Sequence, residues 1–244
     1  MEWILAAAIS VAGCPAPEEV SGALVVGRAQ SFDSGAGDVE DVRYCEYFLR
    51  GEEGSARVLY YDPDGHKVAV KRLSLPTNSN ADSALDIVRP AVKQEDFRHH
   101  EVREITRAGE YWHMRYRKNK RSRWQERMTA AVDVDVIDAG FDPFVRQRWE
   151  QLVSGKAIEF HFASPVHGQV VLLRARRVGC GSRVNDQWLC LEVDLARPWL
   201  RWLAGDLFLA YSPEDRRLRY FGGVVNLLDE QGASQKLSIR YFYP

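Results

Sequence analysis

Apolar and polar residues alternate with a period of two along most of this chain, the pattern of strands that bury one face. The spacing predicts strands over Gly22–Ala29, Val42–Leu49, Ala56–Asp62, Lys67–Leu73, His100–Thr106, Glu110–Arg117 and Arg123–Thr129. After an interruption it predicts Ile158–Phe162, Gln169–Val178, Trp188–Asp194, Leu207–Tyr211 and Leu218–Asn226, and a last strand carrying Leu237, Ile239, Tyr241 and Tyr243. The clearest turn is Tyr61-Asp62-Pro63-Asp64-Gly65-His66, where Pro and Gly stand at positions a tight turn favours. Residues 74–97 are the least regular stretch, with a loop over Pro76–Ser83 and a helical turn expected at Ala84–Val88.

The period changes twice. Asp142 and Pro143 open a helix as N-cap and first helical residue, Phe144, Val145, Trp149 and Leu152 follow at helical spacing, and Gly155 ends it. A second short helix is expected over Pro198–Ala204. The predicted fold is mainly β: a single antiparallel meander forming a curved sheet or half-barrel, with one or two short covering helices. Residues 20–244 form one domain, and residues 1–16 read as a leader. Trp3–Ala12 is an apolar run of about the length of a signal-peptide core.

That run is followed by Val11-Ala12-Gly13-Cys14, which resembles a bacterial lipobox and so implies acylation of the Cys14 thiol. Against the pattern, Glu2 is acidic and no Lys or Arg precedes the run. Ordinary cleavage nearby and a packed amino-terminal segment remain open beside lipidation. Cys180 and Cys190 flank a polar turn centred on Asn185, so the hairpin sets them opposite each other for a disulfide, which an oxidising compartment allows. Cys45 has no evident partner and reads as core.

The chain carries 33 Lys and Arg against 34 Asp and Glu, a formal net charge of −1, a balance that argues against a dedicated nucleic-acid binder. No nucleophile elbow, phosphate-binding glycine loop, H-E-x-x-H or C-x-x-C is present, so neither a reaction nor a cofactor is indicated. Three weak metal clusters (His99 with Glu101; His161 with His167; Asp133, Asp135 and Asp138) lack a full ligand set, and no metal is expected.

Two surfaces are better candidates. Trp112, Met114 and Tyr116, then Trp124 and Met128, then Phe160 and Phe162 form apolar faces, with Trp149 available to cover one end. They could line a concave site for lipid or another apolar ligand. Between the first two groups, Arg115, Arg117, Lys118, Lys120, Arg121, Arg123 and Arg127 crowd one hairpin. Its tip, Lys118, Lys120, Arg121 and Arg123, is a candidate for an anionic membrane surface.

Residues Asp138 to Arg146 through Trp149, and the strand–helix–strand order around Pro198–Tyr211, resemble a family of uncharacterised bacterial exported proteins. The overall order is also similar to the periplasmic lipoprotein-carrier half-barrel. These resemblances imply a periplasmic or lipid-anchored envelope location, and the second implies a fold more than an activity. Two functions are therefore expected: a non-enzymatic envelope protein that binds an apolar ligand in a curved sheet, or a structural or interaction subunit of an envelope assembly whose protein partner is open.

Overall fold

The computed structural model describes residues 10–32, 41–51, 54–74, 87–196 and 207–244. The first half contains β1 (Val25–Ser31), β2 (Val42–Arg50), β3 (Ala56–Tyr61), β4 (Lys67–Ser74), β5 (Ala91–Asp96), β6 (Glu101–Ala108), β7 (Tyr111–Arg117) and β8 (Gln125–Ala130). The second contains β9 (Val136–Ile137), β10 (Ile158–Ser164), β11 (Gln169–Val178), β12 (Leu189–Leu195), β13 (Leu207–Tyr211), β14 (Leu218–Leu228) and β15 (Ser234–Phe242). Two short helices, α1 (Phe141–Gln147) and α2 (Trp149–Val153), lie between β9 and β10.

The strands form one curved 15-stranded sheet in the order β8-β7-β6-β5-β4-β3-β2-β1-β15-β14-β13-β12-β11-β10-β9. All pairs are antiparallel except β9 with β10. The expected mainly β fold is thus present, but β1 is not at an edge. It pairs with β2 on one side and β15 on the other, with Gly27 opposite both Glu46 and Tyr241. Two meanders are thereby zipped along the chain's first and last strands, and both edges fall in mid-sequence.

Those edges overlap instead of pairing. In β9, Val136 faces Phe144, Trp149 and Phe160, whereas Ile137 faces Ile105, Trp112, Met114 and Ala163. The β9–β10 margin is therefore packed on both faces, by the helices on one and by β5–β7 on the other. Both β9 residues are fully buried. The sheet rolls like a scroll.

Two elements depart from the pattern. β5 lies inside the stretch expected to be irregular; its inward residues are Val92, Gln94 and Asp96, so two of three are polar and no apolar alternation marks them. The predicted helix is broken at Arg148 and begins at Phe141 after a 3-10 turn, Asp138–Gly140. Asp142 makes no cap and instead pairs with Arg146 one turn on. The apolar stripe holds: Phe144, Val145, Trp149 and Leu152 are all buried. Gly140 is required because a Cβ there would lie 2.0 Å from the Val88 carbonyl oxygen. Trp199, Trp202 and the helix expected at Pro198–Ala204 lie outside the described residues.

The amino-terminal segment is a strap over the outer face of β1–β4. Val11 and Val20 join Val26, Tyr47, Leu59 and Val70 in one cluster. Arg28 donates to the Ala12 carbonyl at 3.0 Å, and Lys67 pairs with Glu19 at 2.8 Å. Cys14 is bonded to Cys45. Cys14, the expected acylation site, is thus placed in a disulfide, and Cys45 gains a partner the sequence did not suggest. Cys180 and Cys190 are joined as predicted.

The Cys14–Cys45 bond closes a loop of 31 residues, for which chain entropy gives about 3–4 kcal/mol. Chemical denaturation of Cys45→Ser is expected to show a loss of this size, with Cys14 becoming alkylable. A stability equal to wild type would mean the strap is held by its other contacts alone.

Candidate functional site

The scroll's inner face carries charge. Following the registers across the sheet, Gly27, Glu46, Tyr60, Lys71, Gln94 and Arg103 all point the same way. Glu46, Lys71 and Gln94 are buried. Room for the first comes from a missing side chain: a Cβ on Gly27 would sit 2.7 Å from Glu46 Cγ. The Tyr241 hydroxyl hydrogen-bonds Glu46, and Lys71 adds an attractive charge. Burial outweighs both and pushes the Glu46 carboxyl up to about 7. Tyr44, Tyr60 and Tyr241 are each held well above the ordinary phenol range, chiefly by burial and with Glu46 adding to the shift.

Lys71 Nζ reaches Asp138 Oδ1 at 2.7 Å, across 67 residues of sequence. Asp138 follows β9 directly, with φ at 43°, a left-handed conformation in which Asp is tolerated better than most residues. Its carboxylate also accepts from the Ala139 amide at 2.7 Å. One carboxylate therefore joins β4 to the overlapping edge and to the turn that starts α1.

Asp138, Gln94 and Arg103 border a cleft of about 80 Å³ that also touches Phe162 and Ser164. Ligand pockets typically measure about 300–1,000 Å³, so this one holds a few waters and not an acyl chain. Phe162 belongs to the expected ligand face; the rest of that face lies elsewhere. Trp112 and Met114, each 1% exposed, and Tyr116 are packed beneath β5–β7. Trp149 and Phe160 are in the helix-covered cluster, with Phe160 in ring contact with Phe141 and Phe144. They act as core.

Trp124 and Met128 are not on that face at all. The β7–β8 register sets Met128 opposite His113 and Arg127 opposite Met114, so the expected assignment is inverted. Met128 is 47% exposed on the outer surface. Trp124 lies there too, with the Arg115 and Arg117 guanidinium groups 4.3 and 4.8 Å from its ring centre.

Asn119 shapes the tip of the basic hairpin. Asn119 Oδ1 accepts from the Arg121 amide, the Ser122 amide and the Ser122 hydroxyl at 2.9–3.0 Å. Arg115 is paired with Glu104 and Glu126. Lys118, Lys120, Arg121 and Arg123 are exposed and make no ion pair among the described residues.

The expected weak metal clusters are occupied otherwise. His99 Nε2 meets the Asp229 carbonyl, Glu101 pairs with Arg103, His161 with Asp135, and His167 with Ser164. Asp62, Asp64 and His66 bring ligand atoms within 4.8 Å of one another on the exposed β3–β4 turn. Asp62 there accepts the His66 amide at 2.8 Å, as turn acids commonly do.

Compared with family models, curated proteins and solved structures, the chain matches none. Two disulfides are compatible with an extracellular or periplasmic protein, and no described helix is long and apolar enough to cross a membrane.

Glu46 makes stability depend on pH near neutrality. Its folded-state value lies above the ordinary 4.5, so its contribution is complete below 4.5 and is lost as pH rises through about 7. The tyrosines act only in strong alkali, and the lowered Glu19, Glu95 and Asp215 act in acid. Denaturant titrations are expected to show wild type up to about 3 kcal/mol less stable at pH 8 than at pH 5. Glu46→Gln should flatten that difference; an unchanged slope would assign it to another group.

Proposed function

We propose that the protein is a non-enzymatic, extracytoplasmic interaction protein that docks on an anionic membrane surface through its β7–β8 hairpin. The observation that carries this reading is the set of four exposed, unpaired cations at a tip fixed by Asn119. Each Lys or Arg near an anionic bilayer contributes about 1 kcal/mol. The chain's net charge is only −1, so the patch is local and not the edge of a general basic field. The envelope location and the resemblance to exported proteins belong to the same proposal.

The alternative of an apolar ligand within the sheet has less support, because Trp112, Met114 and Phe160 are packed to about 1% exposure and the described cleft is small and partly polar. A fatty-acid probe is expected not to bind delipidated protein, and saturable binding would restore the carrier reading.

The protein should sediment with vesicles containing anionic phospholipid and not with zwitterionic ones, and salt should weaken the association. Reversing Lys118, Lys120, Arg121 and Arg123 to Glu should reduce binding by more than about tenfold. Equal binding by the variant, or indifference to salt, would make the hairpin an ordinary solvated edge.

A further inference from the structure

The outer face of the β7–β8 hairpin is apolar as well as basic. The register sets Met128 beside His113 and Tyr111 beside Ala130, so Met128 and Tyr111 share the face on which Trp124 lies. Tyr111 is 50% exposed and Met128 47%. Acidic groups along the same face are neutralised: Arg115 pairs with Glu104 and Glu126, and His113 Nε2 lies 3.4 Å from Glu126. Arg117, with its guanidinium 4.8 Å from the Trp124 ring centre, adds a cation that makes no ion pair among the described residues. From tip to base the face therefore runs from cations through Trp124 to Met128 and Tyr111. Beyond these, Glu110 and Asp133 are exposed acids, which end the stretch suited to an anionic partner.

We propose that the hairpin lies along an anionic phospholipid bilayer on this outer face, with Met128, Tyr111 and the edge of Trp124 entering the headgroup region. The inference rests on the membrane-docking reading above and adds how the protein lies and what it inserts. Charge selects the occupant. An exposed apolar patch alone would suit many partners, but this one is continuous with the four uncompensated cations of the tip. That combination fits a surface that is anionic outside and apolar within, where binding grows with buried apolar area and with electrostatic attraction together. Trp and Tyr rings suit the boundary because each has an apolar body and a polar edge. Spacing separates this pose from contact by the tip alone. Between Arg123 and Met128 the chain spans about 17 Å at the usual rise of a strand. A hairpin standing on its tip would hold Met128 in water, and one lying on its outer face brings Met128 to the lipid.

The test uses the oxidised full chain and vesicles of anionic phospholipid with brominated acyl chains. Met128→Cys and, on β14, Val224→Cys are each labelled with an environment-sensitive NBD fluorophore. On binding, emission from position 128 should shift to the blue and lose intensity to the bromines, while emission from position 224 stays as in water. Separately, Tyr111→Ser/Met128→Ser, which keeps every cation of the tip, should bind these vesicles about tenfold more weakly, since each half-exposed side chain has apolar area left to bury. Salt screens the tip but not the apolar contact, so the wild type should keep a residual binding at high salt that the double variant loses. Sedimentation with the vesicles while position 128 stays in water would overturn the insertion and leave docking by the tip. No sedimentation at all would remove both readings. An equal response at positions 128 and 224 would mean general unfolding on the lipid and also overturn the proposal. A lipid-free dimer that the double variant abolishes would assign the patch to a second copy of the chain instead.

Discussion

β1 pairs on both sides, and most of the architecture follows from that one constraint. With the first and last strands zipped at the centre of the sheet, the free edges are β8 and β9, which are neighbours in sequence. Only residues 131–135 connect them. A 15-stranded sheet laid flat would separate its edges by about 65 Å at the usual strand spacing, far beyond the reach of so short a link. The sheet must therefore roll until its margins meet. A closed barrel would need a ladder between β8 and β9, and β9 has only two residues to offer, already paired with β10. Overlap is what remains, and it buries Val136 and Ile137 on opposite faces of the same short strand.

Rolling brings inner faces together and so decides what can be buried there. Apolar side chains fill the interior where α1 and α2 cover the second meander and where β5–β7 cover the edge. Between these zones the sheet interior is closed with polar groups. Gln94 Nε2 reaches the Asn226 carbonyl, Arg98 reaches the Leu228 carbonyl, and Lys71 reaches Asp138. Each links strands far apart in the sheet. Buried ion pairs commonly add little net stability because desolvation offsets attraction, but their geometry is exacting. Here that exactness fixes how far the scroll is wound, which packing of aliphatic side chains alone would leave less defined.

Legibility in the sequence followed the same division. A strand with a conventional apolar face, such as β7 with Trp112, Met114 and Tyr116 buried in alternation, is readable to within a residue, since burial of one face imposes the period directly. β5 was hidden because its buried face holds Gln94, whose partner carbonyl on Asn226 is 132 residues away, and Asp96, which is paired with Arg98. The inversion of Trp124 and Met128 has a different cause. Their strand follows a connection over residues 118–124, and a change of one residue in loop register flips every side chain to the other face. Alternation shows that a strand has two faces but not which one meets the core. The Cys180–Cys190 pair could be placed because a local hairpin sets it, whereas Cys14 and Cys45 are brought together by the strap's packing over β1–β4. The Glu46 site left one trace, a glycine in the middle of β1, whose meaning depends on knowing the neighbouring strand.

The free edge at β8 raises the question of why the hairpin is so basic. An open strand is a template for unwanted pairing, and charged residues along it discourage that. Glu126 and Arg127 supply such charges within β8, and Arg115 on β7 is neutralised by Glu104 and Glu126 while it and Arg117 cover Trp124. Protection of the edge is thus met by residues in the strands. Lys118, Lys120, Arg121 and Arg123 lie in the connection beyond the ladder, where no backbone pairing is available to discourage, and they leave their charge uncompensated. Their mutual repulsion costs stability and is accepted at a turn that Asn119 holds in shape. The charge is concentrated where edge protection has no use for it, beside a turn that Asn119 shapes, in a chain of nearly balanced composition.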